Sequence, residues 1–322
     1  MPELPEVETM RRIVERELVG RPVETIDLRL PKLMRGSPLP SLEVLLGRRP
    51  LAARRRAKVL IVDWEGGWSW LAHFKLAGQL AVEHASGERH VAGHPVPDPA
   101  GSYPHKATHL IMGFGGGTTL YHSDLRQFGW LRLMPTGDVE AAIATFGFGP
   151  EGTGPEGIGR DDLGARLGRR RVPIKVALLD QRVVAGLGNI YVDEALHRAQ
   201  LHPRRPANSL SGDELARLHE AIGWALDRGT EQGGAKIVHN WAYPLDGFPQ
   251  VHARENEPCL SCGGAIVKVR VGGRGTYLCE GCQGDEGRRS EVGGRRSQES
   301  GVRSQESEMS GGRTSQLSSH DD

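Results

Sequence analysis

The residues that decide how this chain is organised stand at its beginning, Met1-Pro2-Glu3-Leu4-Pro5-Glu6-Val7-Glu8-Thr9. Apolar residues recur at helical spacing from Val7 to Leu18, and Gly20 ends the run. The pattern predicts an amphipathic helix over residues 5–19, with the first few residues of the chain at its amino end.

Pro2 can turn this terminus into a reactive group. A small residue at position 2 favours removal of Met1, which leaves a proline amine with a pKa of about 7.7 to 8.0, partly unprotonated at neutral pH. A secondary amine that attacks a sugar carbon forms an iminium ion, which has no N–H proton to lose and withdraws electrons strongly. Glu3 and Glu6 stand nearby for proton transfer. Helix capping explains the same residues, so both interpretations are open at this point.

Length and charge bound the remaining possibilities. A chain of 322 residues predicts two domains. With 41 basic and 40 acidic residues, a nucleic-acid surface must come from local clusters such as residues 54–58 and Arg169 to Arg171. No apolar run approaches the roughly 20 residues that cross a bilayer, and the acidic terminus is unlike a signal peptide. We therefore expect a cytoplasmic protein with no membrane partner.

The first half of the chain predicts β-structure. Residues 22–135 contain short apolar or β-branched runs broken by Gly and Pro, which is typical of a sandwich or barrel. Residues 84–106 are interpreted as an exposed loop. Their histidines, at positions 84, 90, 94 and 105, have spacings that fit no compact metal site.

The second half predicts helices and ends in a polar tail. Residues 147–159 are rich in Gly and Pro and are interpreted as a linker, after which helical patterns dominate to Gly229. Ser211 and Glu214 form a predicted capping box. From Gly284 onward almost no apolar residue occurs, so we expect disorder.

Four cysteines form the most specific local motif. Cys259-x-x-Cys262 is followed, after sixteen residues, by Cys279-x-x-Cys282. Two such turns facing each other close a tetrahedron around one structural zinc ion, with no open position for catalysis. Arg274 lies between them beside glycines, where its planar fork can bind a phosphate; a solvated turn arginine is the alternative.

Two further motifs each allow two interpretations. The glycines in Gly186-Leu187-Gly188-Asn189-Ile190-Tyr191 let backbone N–H groups approach a phosphate, or simply form a tight turn between helices. Arg126 and Phe128 on a predicted loop can enter a duplex together, although most such aromatics belong to a core.

Six motifs occur in the order seen in the formamidopyrimidine-DNA glycosylase family, which the chain resembles from residue 2 to about residue 283. They are Pro2 to Thr9, Arg55 to Lys58, Asp124 to Gly129, Gly186 to Tyr191, Glu231 to Gly234 and the cysteine motif. The resemblance implies an α+β fold: an N-terminal β-sandwich with an N-terminal helix, then a helical helix-two-turn-helix domain with a C-terminal zinc finger. The predicted boundaries are 1–135 (catalytic sandwich), 136–160 (linker), 161–250 (helix-two-turn-helix), 251–283 (zinc finger) and 284–322 (tail).

The resemblance also implies an activity. Family members are bifunctional DNA glycosylases and AP lyases of base excision repair, which remove oxidised purines from flipped-out nucleotides of duplex DNA and cut the strand by β,δ-elimination. It implies a monomer, associated with the nucleoid, that acts on double-stranded DNA with oxidised bases or abasic sites and holds one zinc ion. Implied catalytic residues are Pro2 (Schiff-base nucleophile), Glu3 (proton donor), Lys58 (proton donor for elimination) and Arg274 (proton donor for δ-elimination). Implied DNA-binding residues are Glu6, Leu76, Arg126, Phe128, Lys175 and Asn189, and the metal ligands are Cys259, Cys262, Cys279 and Cys282.

The sequence departs from the family pattern at several positions. Leu76 stands where methionine is usual, Lys75 replaces a glycine, and Gln127 replaces an arginine. The segment after Gly234 lacks the usual Ser or Thr, and the run to Cys259 is short. The lesion ranking and the preferred opposite base are therefore open, as are the roles of residues 84–106 and of the tail.

Two alternative functions are considered. An endonuclease VIII-like glycosylase acts on oxidised pyrimidines, but its members typically begin Pro-Glu-Gly-Pro-Glu, so Leu4 favours the purine enzyme. A non-catalytic zinc-ribbon DNA-binding protein is the other alternative, and the presence of Pro2, Glu3 and Lys58 argues against it.

Overall fold

The computed structural model describes residues 2–238, 241–244 and 246–284. The predicted disordered tail, apart from Gly284, lies outside the described residues. Three residues of the segment after Gly234, at positions 239, 240 and 245, also lie outside them.

The first helix, α1, spans Leu4–Glu17 and confirms the helix predicted from the opening sequence. Its apolar face, with Val7, Met10 and Val14, is fully buried in the first of two large cores. Leu4, in its first turn, belongs instead to the second core. One helix therefore contributes to both cores, and its amino end lies between them.

Two antiparallel sheets share the first core and form the predicted β-sandwich. One sheet has the strand order β1-β7-β8-β5-β6 and the other has β2-β3-β4-β9. The strands are β1 (Val23–Leu28), β2 (Pro50–Arg56), β3 (Val59–Trp64), β4 (Trp68–His73), β5 (Gly78–Glu83), β6 (Arg89–Gly93), β7 (Thr108–Phe114), β8 (Thr118–Asp124) and β9 (Trp130–Pro135). Successive side chains of a strand point to opposite faces, so Leu60 and Val62 of β3 enter this core while Val59 and Ile61 enter a smaller cluster on the other face of the sheet. Trp64 and Trp70 pack edge to face there, with ring centroids 5.4 Å apart.

The prediction of a loop throughout residues 84–106 is wrong in its first part. Strand β6 lies within that segment and pairs with β5, from Glu83↔Arg89 to Gln79↔Gly93. The signal was missed because β6 is short and carries Gly, His and Arg in place of β-branched residues. Gly93 also has a packing role, since a Cβ there would come closer than 3.0 Å to Met10 of α1.

The second core is helical, as the patterns after the linker predict. It is built from α3 (Arg160–Gly168), α4 (Ile174–Leu179), α5 (Asn189–Arg198) and α6 (Gly212–Glu231), whereas the short α2 (Val139–Ala144) packs on the sandwich. The predicted capping box begins α6, because Glu214 N donates to Ser211 Oγ over 3.3 Å and Ser211 N donates to Glu214 Oε2 over 2.8 Å.

Two small hairpins follow. The first pairs β10 (Ile237–Val238) with β11 (Trp241–Ala242), and the second pairs β12 (Ile266–Val271) with β13 (Arg274–Cys279), followed by the short α7 (Glu280–Gln283). Among the described residues, no helix has the length and apolar character needed to cross a membrane.

Candidate active site

A cleft of about 500 Å³ opens where the amino ends of α1 and α5 meet the tip of the β12–β13 hairpin. Loops from the sandwich close its other side. Among the residues that line it are seven of the predicted site residues: Pro2, Glu3, Glu6, Leu76, Arg126, Asn189 and Arg274.

Glu3 is more deeply buried than Glu6, the other acid that lines the cleft. Its side chain is buried, and its Oε1 accepts a hydrogen bond of 3.0 Å from Ile190 N at the start of α5. No donor among the described residues reaches its Oε2. Burial raises the pKa of Glu3, the positive charge of Lys58 lowers it, and the nearby Glu6 raises it again, with a net upward shift. A carboxyl group with a raised pKa and one oxygen without a partner is suited to hold and deliver a proton.

Two glycines create the space for this carboxylate. A Cβ at Gly188 would lie closer than 3.0 Å to the carboxylate atoms of Glu3. Gly186 adopts a φ of +93°, and a side chain there would meet Leu4. The turn between α4 and α5 therefore contains glycines because α1 lies directly against it.

Lys58 approaches the same turn from the sandwich. It follows Ala57, which has a φ of +52° in the turn between β2 and β3, and its Nζ donates to Leu187 O over 2.7 Å. Burial lowers the pKa of Lys58 and Arg274 lowers it further, while Glu3 and Glu6 oppose this. The amine is thus poised to exchange a proton more readily than a surface lysine.

The basic cluster at residues 54–58 does not form the open cationic surface that the sequence suggested. Arg54 pairs with Asp63 over 2.8 Å, and Arg55 and Arg56 both pair with the buried Glu151. Glu151 also accepts a 2.7 Å hydrogen bond from Ala57 N, so it fixes the turn that carries Lys58.

Glu6 is held by three hydrogen bonds from different parts of the chain. Its Oε2 accepts from Glu3 N over 2.9 Å, and its Oε1 accepts from Tyr191 Oη over 2.7 Å and from Ala235 N over 2.9 Å. Gly234, with a φ of +105°, lets the chain approach this carboxylate closely. Glu6 therefore connects α1, α5 and the segment that follows α6.

Asn189 and Arg274 both line the cleft. Asn189 Nδ2 donates to Gly275 O over 2.9 Å, and within the described part of the chain its buried Oδ1 accepts no hydrogen bond. Arg274 is exposed at the start of β13, after two glycines with positive φ. The hairpin therefore supplies the guanidinium group of Arg274 to the cleft, and the start of α5 supplies the side-chain amide of Asn189.

Lys175 lies behind this hairpin. The sequence predicts a DNA contact for it, but its side chain is completely buried and pairs with Asp193 over 2.6 Å. Its Nζ also lies 3.2 Å from Gly275 O. In this geometry Lys175 supports the hairpin from within, and a direct contact with DNA requires this pair to open.

Arg126 and Phe128 extend from a loop that Asp124 organises. The carboxylate of Asp124 accepts from Arg126 N over 3.1 Å and from Gly129 N over 2.7 Å, and Gln127 has a φ of +55°. Phe128 is 45% exposed, with the Arg126 guanidinium 5.2 Å from its ring centroid. This loop thus presents an aromatic ring and a cation together.

Leu76 lines the cleft next to Lys75, which has a φ of +50°. That backbone conformation is left-handed and favours glycine, which explains why the family has a glycine where this chain has Lys75.

The cysteine motifs form one compact cluster. The sulfur atoms of Cys259, Cys262, Cys279 and Cys282 all lie within 4.8 Å of one another. Four sulfur donors without a carboxylate or open position fit a structural tetrahedral Zn²⁺. Only a few apolar residues surround them, including Val251, Ile266 and Tyr277, so the ion replaces a larger core.

Known protein families match the chain over most of its length. Residues 1–131 match the N-terminal domain of formamidopyrimidine-DNA glycosylase, residues 148–240 match the H2TH domain of that enzyme, and residues 256–284 match a zinc finger found in FPG and IleRS. The formamidopyrimidine-DNA glycosylase of Pelotomaculum thermopropionicum is 37% identical over 289 residues, which cover 88% of this chain and 99% of the relative. The chain belongs to the formamidopyrimidine-DNA glycosylase family. The enzyme of the same name from Azorhizobium caulinodans is 39% identical over 298 residues, covering 88% of this chain and all of the relative.

Solved structures of formamidopyrimidine-DNA glycosylase agree with this assignment. The Lactococcus lactis protein in complex with a Fapy-dG-containing DNA has a TM-score of 0.76 and 31% identity, and covers 88% of this chain and 100% of its own. The complex of that protein with DNA containing an abasic site has the same TM-score and 30% identity. The predicted α+β fold is confirmed, and the family's zinc finger together with the four sulfur atoms confirms one structural zinc ion.

Several residues of this formamidopyrimidine-DNA glycosylase site carry no sequence signal of their own. Glu151 stands in a stretch that reads as a linker, and Asp193 stands in an ordinary helical pattern. Asp193 is buried and binds His252 Nδ1 over 2.8 Å and Tyr277 N over 3.1 Å in addition to Lys175. The one sequence signal for its role as a buried hydrogen-bond acceptor is that a charged residue occupies a position on the apolar face of α5.

Gly188→Ala should slow base excision by this family member at least about tenfold, which corresponds to ~1.4 kcal/mol in activation free energy. The added methyl group displaces the Glu3 carboxylate from Ile190 N. Single-turnover excision rates measure this effect. The control is Gly223→Ala inside α6, where a Cβ meets only open space. A wild-type rate for Gly188→Ala would show that the close approach does not matter for catalysis.

Proposed function

We propose that this chain is a bifunctional DNA glycosylase and AP lyase that removes oxidised purines, chiefly 8-oxoguanine and formamidopyrimidines, from duplex DNA. The observation that carries the proposal is the buried Glu3 carboxyl group beside Pro2 in a cleft lined by cationic and amide side chains. The pKa of this group is raised, and no donor among the described residues reaches its Oε2. DNA bound to the Lactococcus lactis protein supports duplex DNA as the partner.

The first chemical step is attack by the Pro2 amine, freed by removal of Met1, on the sugar carbon C1′. The nitrogen lone pair forms the N–C1′ bond, and the damaged base leaves with the electrons of the glycosidic bond and takes up the proton that the amine nitrogen loses. Glu3 protonates the ring oxygen as the C1′–O4′ bond opens, which yields the iminium ion. Burial raises the pKa of Glu3, so its carboxyl group holds a proton to a higher pH than an exposed glutamate does.

The second stage cuts the strand. The iminium ion acidifies the C2′ proton, and its loss expels the 3′ phosphate by β-elimination; δ-elimination then expels the 5′ phosphate. We assign proton delivery in these steps to Lys58 and Arg274, which approach the cleft from the sandwich and from the finger. Cys259, Cys262, Cys279 and Cys282 would hold the structural zinc ion, which would keep the finger hairpin, and hence Arg274, in position.

The remaining site residues bind and open the duplex. We propose that Arg126 faces the orphaned base and Phe128 wedges the stack, which their exposure on one ordered loop supports. Asn189 holds a phosphate beside Arg274, Leu76 fills the space of the flipped base, and Glu6 fixes the walls around that base. Lys175 donates a hydrogen bond to Gly275 O and so positions the hairpin whose Arg274 binds the phosphate.

We also infer the organisation of the enzyme. Two separate cores and the zinc cluster support a division into a catalytic sandwich (1–135), a linker (136–160), a helix-two-turn-helix domain (161–250) and a finger (251–283). The described cleft is built from one chain, which supports action as a monomer. Its substrate implies a cytoplasmic, nucleoid-associated enzyme.

Borohydride trapping tests this function. Wild type and Pro2→Gly are incubated with duplexes that carry 8-oxoguanine, an oxidised pyrimidine or an abasic site. We expect a covalent adduct on 8-oxoguanine that weakens or disappears in Pro2→Gly, since a primary amine replaces the secondary amine. Trapping mainly on the pyrimidine would favour an endonuclease VIII-like enzyme, and trapping on none would leave a DNA-binding scaffold.

Arg274→Ala should weaken DNA binding and make its salt dependence shallower by about 0.9 in the slope of log K against log salt, the value for one phosphate contact. Fluorescence anisotropy with an abasic-analogue duplex at several salt concentrations measures both quantities. The matched control is Arg270→Ala, an exposed arginine on the other strand of the same hairpin. Equal slopes for wild type and Arg274→Ala would exclude the phosphate contact.

A further inference from the structure

Three potential metal ligands meet at the carboxyl end of α1, away from the cleft. Glu17, the last residue of α1, meets His84 from the turn after β5 and His90 from β6. His84 Nε2 lies 2.8 Å from Glu17 Oε2, and His90 Nε2 lies 3.4 Å from Glu17 Oε1. One donor atom of each residue lies within 4.8 Å of the others. The spacing of the histidines along the chain does not indicate this cluster, because its third member comes from a helix distant in sequence.

We propose that Glu17, His84 and His90 bind a divalent transition-metal ion, with Zn²⁺ as the expected occupant and Glu88 as the fourth ligand. Imidazole nitrogen and carboxylate oxygen are common zinc donors, and in a tetrahedral site they lie about 3.3 to 3.5 Å from one another. The separation of His90 Nε2 from Glu17 Oε1 is already 3.4 Å, that of His84 Nε2 from Glu17 Oε2 is shorter at 2.8 Å, and the three donor atoms all lie within 4.8 Å of one another. Glu88 Oε1 already lies 3.2 Å from His90 Nε2, and its exposed side chain can turn toward the ion.

The surroundings of His84 resemble those of a metal-bound histidine. Its Nδ1 lies 3.0 Å from Oγ1 of Thr118, a fully buried residue of β8. A ligating histidine usually donates its other ring N–H to a fixed partner, which sets the tautomer. With the proton on Nδ1, Nε2 presents a lone pair to the Glu17 carboxylate, and a cation between the two makes that arrangement favourable.

The site is sheltered but accessible. The Glu17 side chain is 10% exposed and His84 is 18% exposed, so little water screens an ion between them. The open side faces Glu88, which provides an entry path. Arg16 also contacts the Glu17 carboxylate, but its side chain is 60% exposed, and a surface pair of this kind is displaced at little cost.

A metal ion here connects the end of α1 to the β5–β6 hairpin. Both elements reach the cleft at their other ends, through Pro2 and Gly93 respectively. The ion therefore stiffens the frame that positions Pro2 without contacting DNA. The inference concerns a second, separate metal site and does not depend on the proposed glycosylase chemistry.

Metal content of the full chain tests the proposal. Purified wild type, His84→Ala, His90→Ala and Glu17→Gln are equilibrated with buffered excess Zn²⁺, desalted and analysed by mass spectrometry of the metal. We expect two zinc ions per wild-type chain and one per variant. His219→Ala, which removes a histidine of α6 that binds Ile158 O, is the matched control and should retain two.

Cobalt substitution separates the two sites independently of activity. The cysteine site gives intense thiolate-to-cobalt charge-transfer bands, whereas the proposed site gives only weak d–d bands, which should disappear in the three variants while the thiolate bands persist. Persistence of the thiolate bands shows that the finger of each variant is folded, and a far-UV circular dichroism spectrum like that of wild type shows that its separate sandwich core is folded. One zinc per wild-type chain, or two in every variant, overturns the proposal and leaves Glu17 in an ordinary ion pair.

Discussion

Glu3→Gln should lose base excision by at least about 10²-fold while it retains a much larger share of strand cleavage at a preformed abasic site. An amide cannot deliver the proton that general acid catalysis supplies, and such catalysis contributes typically 10² to 10⁴-fold. At an abasic site no base has to leave, so the Pro2 amine can react with the free aldehyde. Single-turnover rates on an 8-oxoguanine duplex and on an abasic duplex give the two effects separately.

The same substitution should gain thermal stability relative to wild type as pH rises above the unfolded pKa of Glu3. Burial is the main reason that the pKa of Glu3 is raised, so the folded state disfavours the ionised carboxylate. The stability contributed by the protonated form is complete below the unfolded pKa of Glu3 and is lost as pH rises through its folded pKa. Glutamine has no such loss. The melting temperature of Glu3→Gln minus that of wild type should therefore increase over this window and then level off.

Glu220→Gln provides the control for both measurements, because Glu220 is an exposed acid on α6 outside the cleft. It should leave excision, abasic cleavage and the pH profile of stability unchanged. Equal losses of Glu3→Gln on both DNA substrates would mean that Glu3 acts in a step that the two reactions share, and not in the ring opening that accompanies base excision. A constant difference in melting temperature across pH would contradict its raised pKa.

Cys279→Ser should abolish stable zinc binding in the finger and lower the affinity for duplex DNA by more than tenfold. Cys279 is fully buried at the end of β13, and the apolar residues around it are too few to hold the hairpin alone. Loss of the hairpin removes Arg274 from the cleft and exposes the Asp193 network. Zinc content and anisotropy with an abasic-analogue duplex measure the two effects.

The matched control lies inside the same motif. Ser261→Ala changes an exposed residue between two ligands, where the backbone N–H and not the side chain contacts Cys259 Sγ. It should bind zinc and DNA as wild type does. If Cys279→Ser bound DNA with wild-type affinity after losing its zinc, the hairpin would not depend on the ion for its position.

Features with a local cause were predictable from the sequence. The α1 helix, the capping box at Ser211 and the cysteine turns each depend on residues a few positions apart, so their patterns identify them. The family motifs then brought distant segments such as Pro2 and Arg274 to one site. The structure agrees, since both line one cleft.

What the sequence could not predict depends on partners far along the chain. The arginines before Lys58 read as a cationic surface because nothing nearby shows that Glu151 neutralises two of them. Lys175 reads as a surface contact because its partner Asp193 is hidden in a helical pattern. Tertiary ion pairs of this kind leave no periodicity, and only the fold shows which charges are already paired.

Because α1 contributes side chains to both cores, the geometry of the active site depends on how the two cores contact each other. Glu3 and Lys58 come from the sandwich side, yet a backbone atom near the start of α5 orients each of them. Ile190 N donates to Glu3, and Lys58 donates to Leu187 O. Leu4 N binds Gly186 O of that same turn over 3.1 Å. If the two cores separate by even a few ångströms, both proton-transfer groups lose their alignment together. The enzyme is therefore competent to break a glycosidic bond only while the sandwich and the helical core are in contact. Catalytic activity depends on the integrity of this contact.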